Sequence, residues 1–318
     1  MHIRSIFFLM IFGCFSQLFA QKKIRLYEFE LRTDNDSYLW KYSDRYYTNG
    51  FFLAFRYTLD HKNLKSSSIV KKILAFEIGQ RLYTPQSGAI PAQKYVDRPF
   101  TAYLYAQTSI SIFYKDEAFV KYSSEVGAIG PDALGEEVQS SFHRFFQFYD
   151  VNGWKYQLKS EWGLNLSAAC TKLIFRKKLV DFAAVGVLNL GTTFSGADLA
   201  CLIRVGWLSP LYNSLINASR IGYFNSLEVS PGKQEFYFFV KPILKYVAYD
   251  ATIQGGLFRK DKGPVVFEAK PFVFSQNYGL GSSYGPWTFE VTMVFNTKEL
   301  ESWAKKHQWG SFRIGYAF

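Results

Sequence analysis

The sequence predicts an all-β protein: a transmembrane antiparallel β-barrel of about 12 strands with a short helix in an extracellular loop. Three observations carry that expectation. Apolar and polar residues alternate with period two through most of the chain, as in Phe51, Leu53, Phe55 and Tyr57 against Phe52, Ala54, Arg56 and Thr58. The chain opens with an export leader, and its strands run about 10 residues, enough to cross a bilayer when tilted. The last residue, Phe318, closes an alternating strand of Phe312, Ile314, Tyr316 and Phe318. A soluble sandwich shows the same alternation with its aromatics turned inward, so period alone leaves both architectures open.

Composition narrows the choice. Of 318 residues, 19% are aromatic and 20% charged, which opposes disorder. The formal charge is +11, spread without a long Lys/Arg run, so nucleic acid is not an expected partner. A basic rim facing anionic phosphates is compatible with it. Met1 to Arg4 form a basic start, Ile6 to Phe15 an apolar run broken by Gly13, and Leu18-Phe19-Ala20 a cleavage site before Gln21. Residues 1–20 therefore read as a signal peptide and 21–318 as a single barrel domain. Processing at Cys14 is the alternative, although Phe12 is bulky for a lipoprotein signal. No later run of ~18 apolar residues suggests a membrane helix. Cys170 and Cys201 fall on second-neighbour strands, ~10 Å apart, and are expected to be free. The terminal aromatic strand is similar to the C-terminal signal of bacterial outer-membrane barrels.

Twelve strands are expected near 25–33, 49–59, 70–82, 99–113, 117–128, 154–174, 178–191, 197–207, 235–248, 265–278, 286–297 and 309–318. An even count puts both termini on the periplasmic side. Residues 208–234 are then a long segment at the end where turns are short. Loops 34–48, 83–98 and 129–153 share the opposite, outer rim.

Those loops hold the candidate chemistry. Glu28, Glu30, Arg32, Asp34 and Asp36 share a parity expected to face the lumen, and Thr48 shares the inward parity of Ala54 and Arg56. Asn35 and Asp36 sit where strand becomes loop; taken alone, DND is a polar turn. The third loop, GPDALGEEVQSSFHRFF at 130–146, reads as a helix with Val138, Phe142, Phe145 and Phe146 on one face. Glu136, Gln139, His143 and Gln147 lie on another, so an imidazole stands one turn after a Gln above the barrel's mouth. Taken alone, this is an amphipathic packing helix. Gly281-Ser282-Ser283-Tyr284-Gly285 matches Gly-x-Ser-x-Gly but lies between two strands at the periplasmic end, so it reads as a hairpin and not a nucleophile elbow.

Taken together, the blocks resemble the outer-membrane lipid A 3'-O-deacylase family. They are Asn35-Asp36, DRYYTNG at 44–50, GQRLYTP at 79–85, DRPFTAYLY at 97–105, IGPDALGEEVQSSFH at 129–143 and GWKYQL at 153–158, in the family's order. The resemblance implies a twelve-stranded barrel in the bacterial outer membrane, with calcium-dependent ester hydrolysis of lipid A or lipopolysaccharide at the outer leaflet. It maps the active-site Asn-Asp pair to Asn35 and Asp36, the hydroxyl to Thr48, and the helix pair to Gln139 and His143. Two features of an enterobacterial member are unmatched: a basic pair in the second loop, near which only Lys94 stands, and a Glu soon after the His, where QFYD stands.

A mechanism that suits these residue types has His143 activating water, since imidazole can take a proton near neutrality. Asp36, loop carbonyls and Thr48 would bind Ca²⁺ against the oxyanion. Gln139 would orient His143 or the water, and Asn35 would donate to the oxyanion. Arg45, Lys94 and Arg98 would meet the glucosamine phosphates or form a solvated rim. The protein is expected to act as a monomer. An outer-membrane phospholipase, or a non-catalytic channel or adhesin, are the alternatives.

Overall fold

A computed structural model describes residues 24–39, 45–59, 68–222 and 234–318; the expected signal peptide and Cys14 lie outside them. Among the described residues twelve strands form one closed antiparallel barrel. They are β1 Tyr27–Asn35, β2 Tyr46–Leu59, β3 Ile69–Thr84, β4 Thr101–Tyr114, β5 Ala118–Ile129, β6 Glu161–Lys177, β7 Val180–Gly191, β8 Phe194–Trp207, β9 Glu235–Asp250, β10 Phe272–Tyr284, β11 Trp287–Asn296 and β12 His307–Ala317. Neighbours in sequence pair throughout, and β12 returns to β1 with Glu28 opposite Ala317.

The alternation resolves inside out. Tyr27 and Phe29 stand exposed on β1, while Glu28 and Glu30 are buried. Ile78, Trp162, Leu199, Trp207 and Phe272 are equally exposed on the outer wall. A soluble sandwich would place these side chains in its core, so this arrangement excludes it. Inside, Arg56 bonds Glu28 at 2.8 Å and Glu30 at 2.9 Å, and Arg313 bonds Glu290 at 2.6 Å. No described helix is long and apolar enough to cross a membrane. Cys170 and Cys201 are free.

Two strand boundaries shift. The sixth strand starts at Glu161, because Trp154 and Leu158, which alternate like strand residues, are buried within the preceding loop. The tenth runs Phe272–Tyr284, because residues 255–271 belong to a mouth loop held against the third loop by Lys159 N–H donating to the Lys262 carbonyl (3.1 Å). The Gly-Ser stretch ends β10, and Gly285, at φ 57°, makes the hairpin turn that only a left-handed residue allows.

The long segment at the base is a plug. Residues 208–222 fold into the barrel, where Ile216, Asn217 and Ala218 floor a lumen cavity of about 790 Å³. Lys71 Nζ donates to the carbonyls of Ser219 and Ile221, and Arg313 donates to that of Leu215. Arg204 is the hub. Fully buried, it bonds Asp181 at 2.6 Å, Glu235 at 3.1 Å, the Ser214 hydroxyl at 2.7 Å and the Ser209 carbonyl at 3.1 Å.

Replacing Arg204 with Met would leave Glu235 buried with the Ser214 hydroxyl (2.6 Å) and the Leu215 N–H (3.0 Å) but with its nearest described cation, Arg220, at 3.9 Å. Arg176 would still hold Asp181 at 2.7 Å, so the expected loss is at the low end for a broken buried pair, about 3 kcal/mol. Guanidinium unfolding in detergent micelles reads it as a lowered midpoint; an unchanged midpoint contradicts the hub role.

Candidate functional site on the outer wall

The β1–β2 ladder ends at Asn35 opposite Asn49. Both lie on the lipid-facing side of the wall, since Asp34 before Asn35 lines the lumen. Asn35 Nδ2 donates to Asn49 Oδ1, while Asn35 Oδ1 accepts from the backbone N–H (2.7 Å) and hydroxyl of Ser37. That second pair of bonds starts the 3₁₀ helix Asp36–Leu39. Both ends of the Asn35 amide are thus engaged in shaping the turn. Asp36 is 2% exposed, and its Oδ2 accepts from the Arg45 N–H at 3.0 Å. It does not line the lumen, contrary to its strand parity.

Thr48 also departs from parity. A one-residue bulge between Tyr47 and Asn49 breaks the β2–β3 register. Tyr47 takes the lumen position, donating to Asp34 Oδ2 at 2.7 Å. Thr48 is thereby released to the other side, where its fully buried hydroxyl meets that of Thr84 at 2.6 Å. Thr84 lies on the outer face, because Arg81 and Tyr83 line the lumen. Bulges commonly re-aim one side chain in this way. Asp36 and Thr48 follow and precede the last paired residues of the β1–β2 ladder, Asn35 and Asn49.

The third loop folds down onto the same wall. It leaves β5 through Gly130 (φ 77°) and the 3₁₀ turn Pro131–Ala133, then forms α1, Gly135–Phe146. Gln80, on the outer face of β3, donates to the Ala133 carbonyl at 2.6 Å. Leu82 and Ala102 of the wall form one apolar cluster with Ala133, Val151 and Trp154 of the loop. Gly135 lies so close that a Cβ there would stand 2.5 Å from the Trp154 ring and 2.6 Å from Ala102. Any side chain would lift the helix.

The helix is amphipathic in the reverse of the soluble sense. Its polar pair is buried, Gln139 at 2% exposure and His143 at 4%, while Phe142, Phe146 and above all Phe145, at 80%, are exposed. His143 Nδ1 lies 2.8 Å from the Tyr149 carbonyl. A carbonyl only accepts, so Nδ1 carries the proton and Nε2 is the basic nitrogen. The rings of Phe148 and Tyr149 stand edge-on to the imidazole. Gln139 Oε1 accepts from the Trp154 indole at 2.8 Å.

The structure places Asn35, Asp36 and Thr48 at the mouth end of β1 and β2, and Gln139 and His143 on the helix of a loop packed against the outer face of β3 and β4. None of them lines the lumen, so the expected place above the mouth is corrected to the barrel's lipid-facing flank. The basic residues separate. Arg98 is buried and turned inward, donating to Thr252 Oγ1 at 3.0 Å and lying 4.1 Å from the Tyr83 ring; it clamps loops together away from the outer-wall group. Lys94 is exposed beside the ring of Tyr95. Arg45 adjoins the group through its backbone bond to Asp36. Sequence reasoning missed Asn49, Thr84, Trp154 and the Tyr149 carbonyl. Only Asn49 had a signal, its place opposite Asn35 in the hairpin.

Among the described residues no three His, Cys, Asp or Glu side chains cluster as a metal site. The side chains the sequence offered for a cation, the buried Asp36 carboxylate and the Thr48 hydroxyl, are both oxygen donors. That set suits a hard cation such as Ca²⁺ and not a thiolate- or imidazole-seeking metal.

No curated protein matches the sequence. Among solved structures, LpxR from Salmonella typhimurium superposes with a TM-score of 0.72 at 20% identity, over 92% of this chain and 100% of that one. The translocator domain of the autotransporter NalP from Neisseria meningitidis gives 0.45 at 8% identity, over 93% and 90%. The β domain of the Bordetella autotransporter BrkA gives 0.43 at 9%, over 93% and 99%. The first shares this fold; the other two are too distant to inform the site. The profile of the family described as "Outer membrane protein LpxR" matches residues 6–318. With that match spanning nearly the whole chain, the protein belongs to the LpxR family of outer-membrane lipid A 3'-O-deacylases.

Proposed function

We propose that this lipid A deacylase hydrolyses the 3'-linked acyl ester, with His143 as general base and a calcium ion at Asp36. The observation that carries the reading is the inside-out helix. Its phenylalanines are exposed on the outer side, while Gln139 and His143 are buried on its other face, with His143 Nδ1 held by the Tyr149 carbonyl. Acyl chains in the outer leaflet would run along Phe142, Phe145 and Phe146, bringing the ester at their head to the polar side of the helix. A site inside the lumen would not meet that depth.

In the reaction, His143 Nε2 takes a proton from water as the oxygen attacks the ester carbonyl. The tetrahedral adduct then collapses and the C–O bond to the sugar breaks. His143 returns its proton to the departing sugar oxygen, giving a free fatty acid and a free hydroxyl. The Tyr149 carbonyl holds Nδ1–H throughout, fixing the tautomer and stabilising the imidazolium. It fills the orienting role that a carboxylate could otherwise take. Asn35 fixes the turn that presents Asp36. Asp36, Thr48 and neighbouring carbonyls would hold calcium, which when bound supplies positive charge against the oxyanion.

His143→Ala should lower turnover of purified lipid A by about 10²–10⁴-fold, read by mass spectrometry of the released acid and the shortened lipid. A rate within about threefold of the parent overturns the assignment, as does release from glycerophospholipid in preference to lipid A. With a single carboxylate, calcium affinity should be weak, on the order of 10⁻⁴–10⁻³ M. A calcium titration of the rate tests this: Asp36→Asn should raise the concentration required, and full activity in excess chelator refutes the metal's role.

A further inference from the structure

Asn35 was the expected donor to the oxyanion, yet one N–H of its amide goes to Asn49 and its oxygen accepts from Ser37. Gln139 is placed differently. Its partner Trp154 is fully buried in the cluster between the third loop and the β3–β4 wall. An indole N–H can only donate, and it donates to Gln139 Oε1 at 2.8 Å. That bond fixes which end of the amide is oxygen, without appeal to any assigned flip. Gln139 Nε2 is left on the other side, itself buried and with no hydrogen-bond partner among the described residues. The residue stands one turn before His143 on the same buried helix face.

We propose that Gln139 Nε2 donates to the ester carbonyl oxygen as it becomes the oxyanion, and that Trp154 is a positioning residue locking the amide in that orientation. The proposal rests on the ester-hydrolase reading above. Donors held in place before charge develops act without reorganisation, which is why a locked amide outperforms a free one. Without the indole the amide can turn, and its oxygen would then face a developing negative charge. The chemistry is otherwise that of the hydrolysis itself: the carbonyl becomes C–O⁻ on attack and reforms as the sugar oxygen leaves with the proton from His143.

The test uses the full-length protein in detergent with calcium and lipid A, measuring kcat and KM. Gln139→Glu keeps the acceptor that Trp154 needs and removes the donor; kcat should fall by about 10²–10³-fold with KM within about threefold. Gln139→Met replaces it if the barrel fails to show its heat-shifted gel mobility, with the same loss expected. Trp154→Phe keeps the ring and removes the N–H, and should lower kcat roughly tenfold in the parent but change it less than twofold in Gln139→Met. A residue acting through Gln139 gives that non-additivity, whereas a packing role gives equal losses in both backgrounds. Equal losses, or turnover by Gln139→Glu within about threefold of the parent, overturn the proposal. Loss of activity in His143→Ala with retention in Gln139→Glu sinks this inference alone; retention in both sinks the hydrolase reading beneath it.

Discussion

Hydrocarbon offers no hydrogen bonds, so every backbone N–H and C=O at membrane depth must find its partner in the protein. The return of β12 to β1 meets that demand by leaving no strand edge. The rest of the architecture follows from closure. Once the ring is complete, each strand has one face on lipid and one on the lumen. Charge collects inside, where Arg56, Arg313 and Arg204 each find carboxylates within 3.1 Å, and aromatics collect outside.

The site exploits the outside of that ring. The usual placement of polar chemistry in a barrel is the lumen, which here is lined by charged side chains such as Glu30, Arg56, Glu290 and Arg313. Here two local departures bring polar groups to the lipid side. A single bulge releases Thr48 from its inward parity, and the third loop returns along the wall instead of rising above it. The helix on that loop can bury Gln139 and His143 only because its other face meets lipid. In water, exposing Phe142, Phe145 and Phe146 would oppose that orientation. The membrane is therefore part of what orients the imidazole.

The plug explains why such a barrel need not conduct. Residues 208–222 are held by cations from three strands, Lys71 of β3, Arg204 of β8 and Arg313 of β12, and by a carboxylate from a fourth, Glu235 of β9.

Much of this was legible in the residues. Alternation gave the strands and their two faces, and the aromatic closing strand together with the expected export leader turned the apolar face outward, because the period is the same in a sandwich and a barrel. The ordered blocks marked the chemically loaded loops, and the spacing of Gln139 and His143 placed both on one helix face. Sequence parity could not foresee the bulge, since one extra residue reverses every later assignment and leaves no compositional mark. Nor could it separate strand from lid at Trp154 and Leu158, which are buried by a loop packing on the wall and not by a ladder. The inward turn of Arg98, the bond from Trp154 to Gln139 and the Tyr149 carbonyl at His143 depend on groups distant in the chain or on backbone atoms that carry no residue identity. The residues alone determined what the barrel is and which side chains it offers. Folding in three dimensions decided on which side of the wall they meet, because that depends on register and loop packing and not on the pattern along the chain.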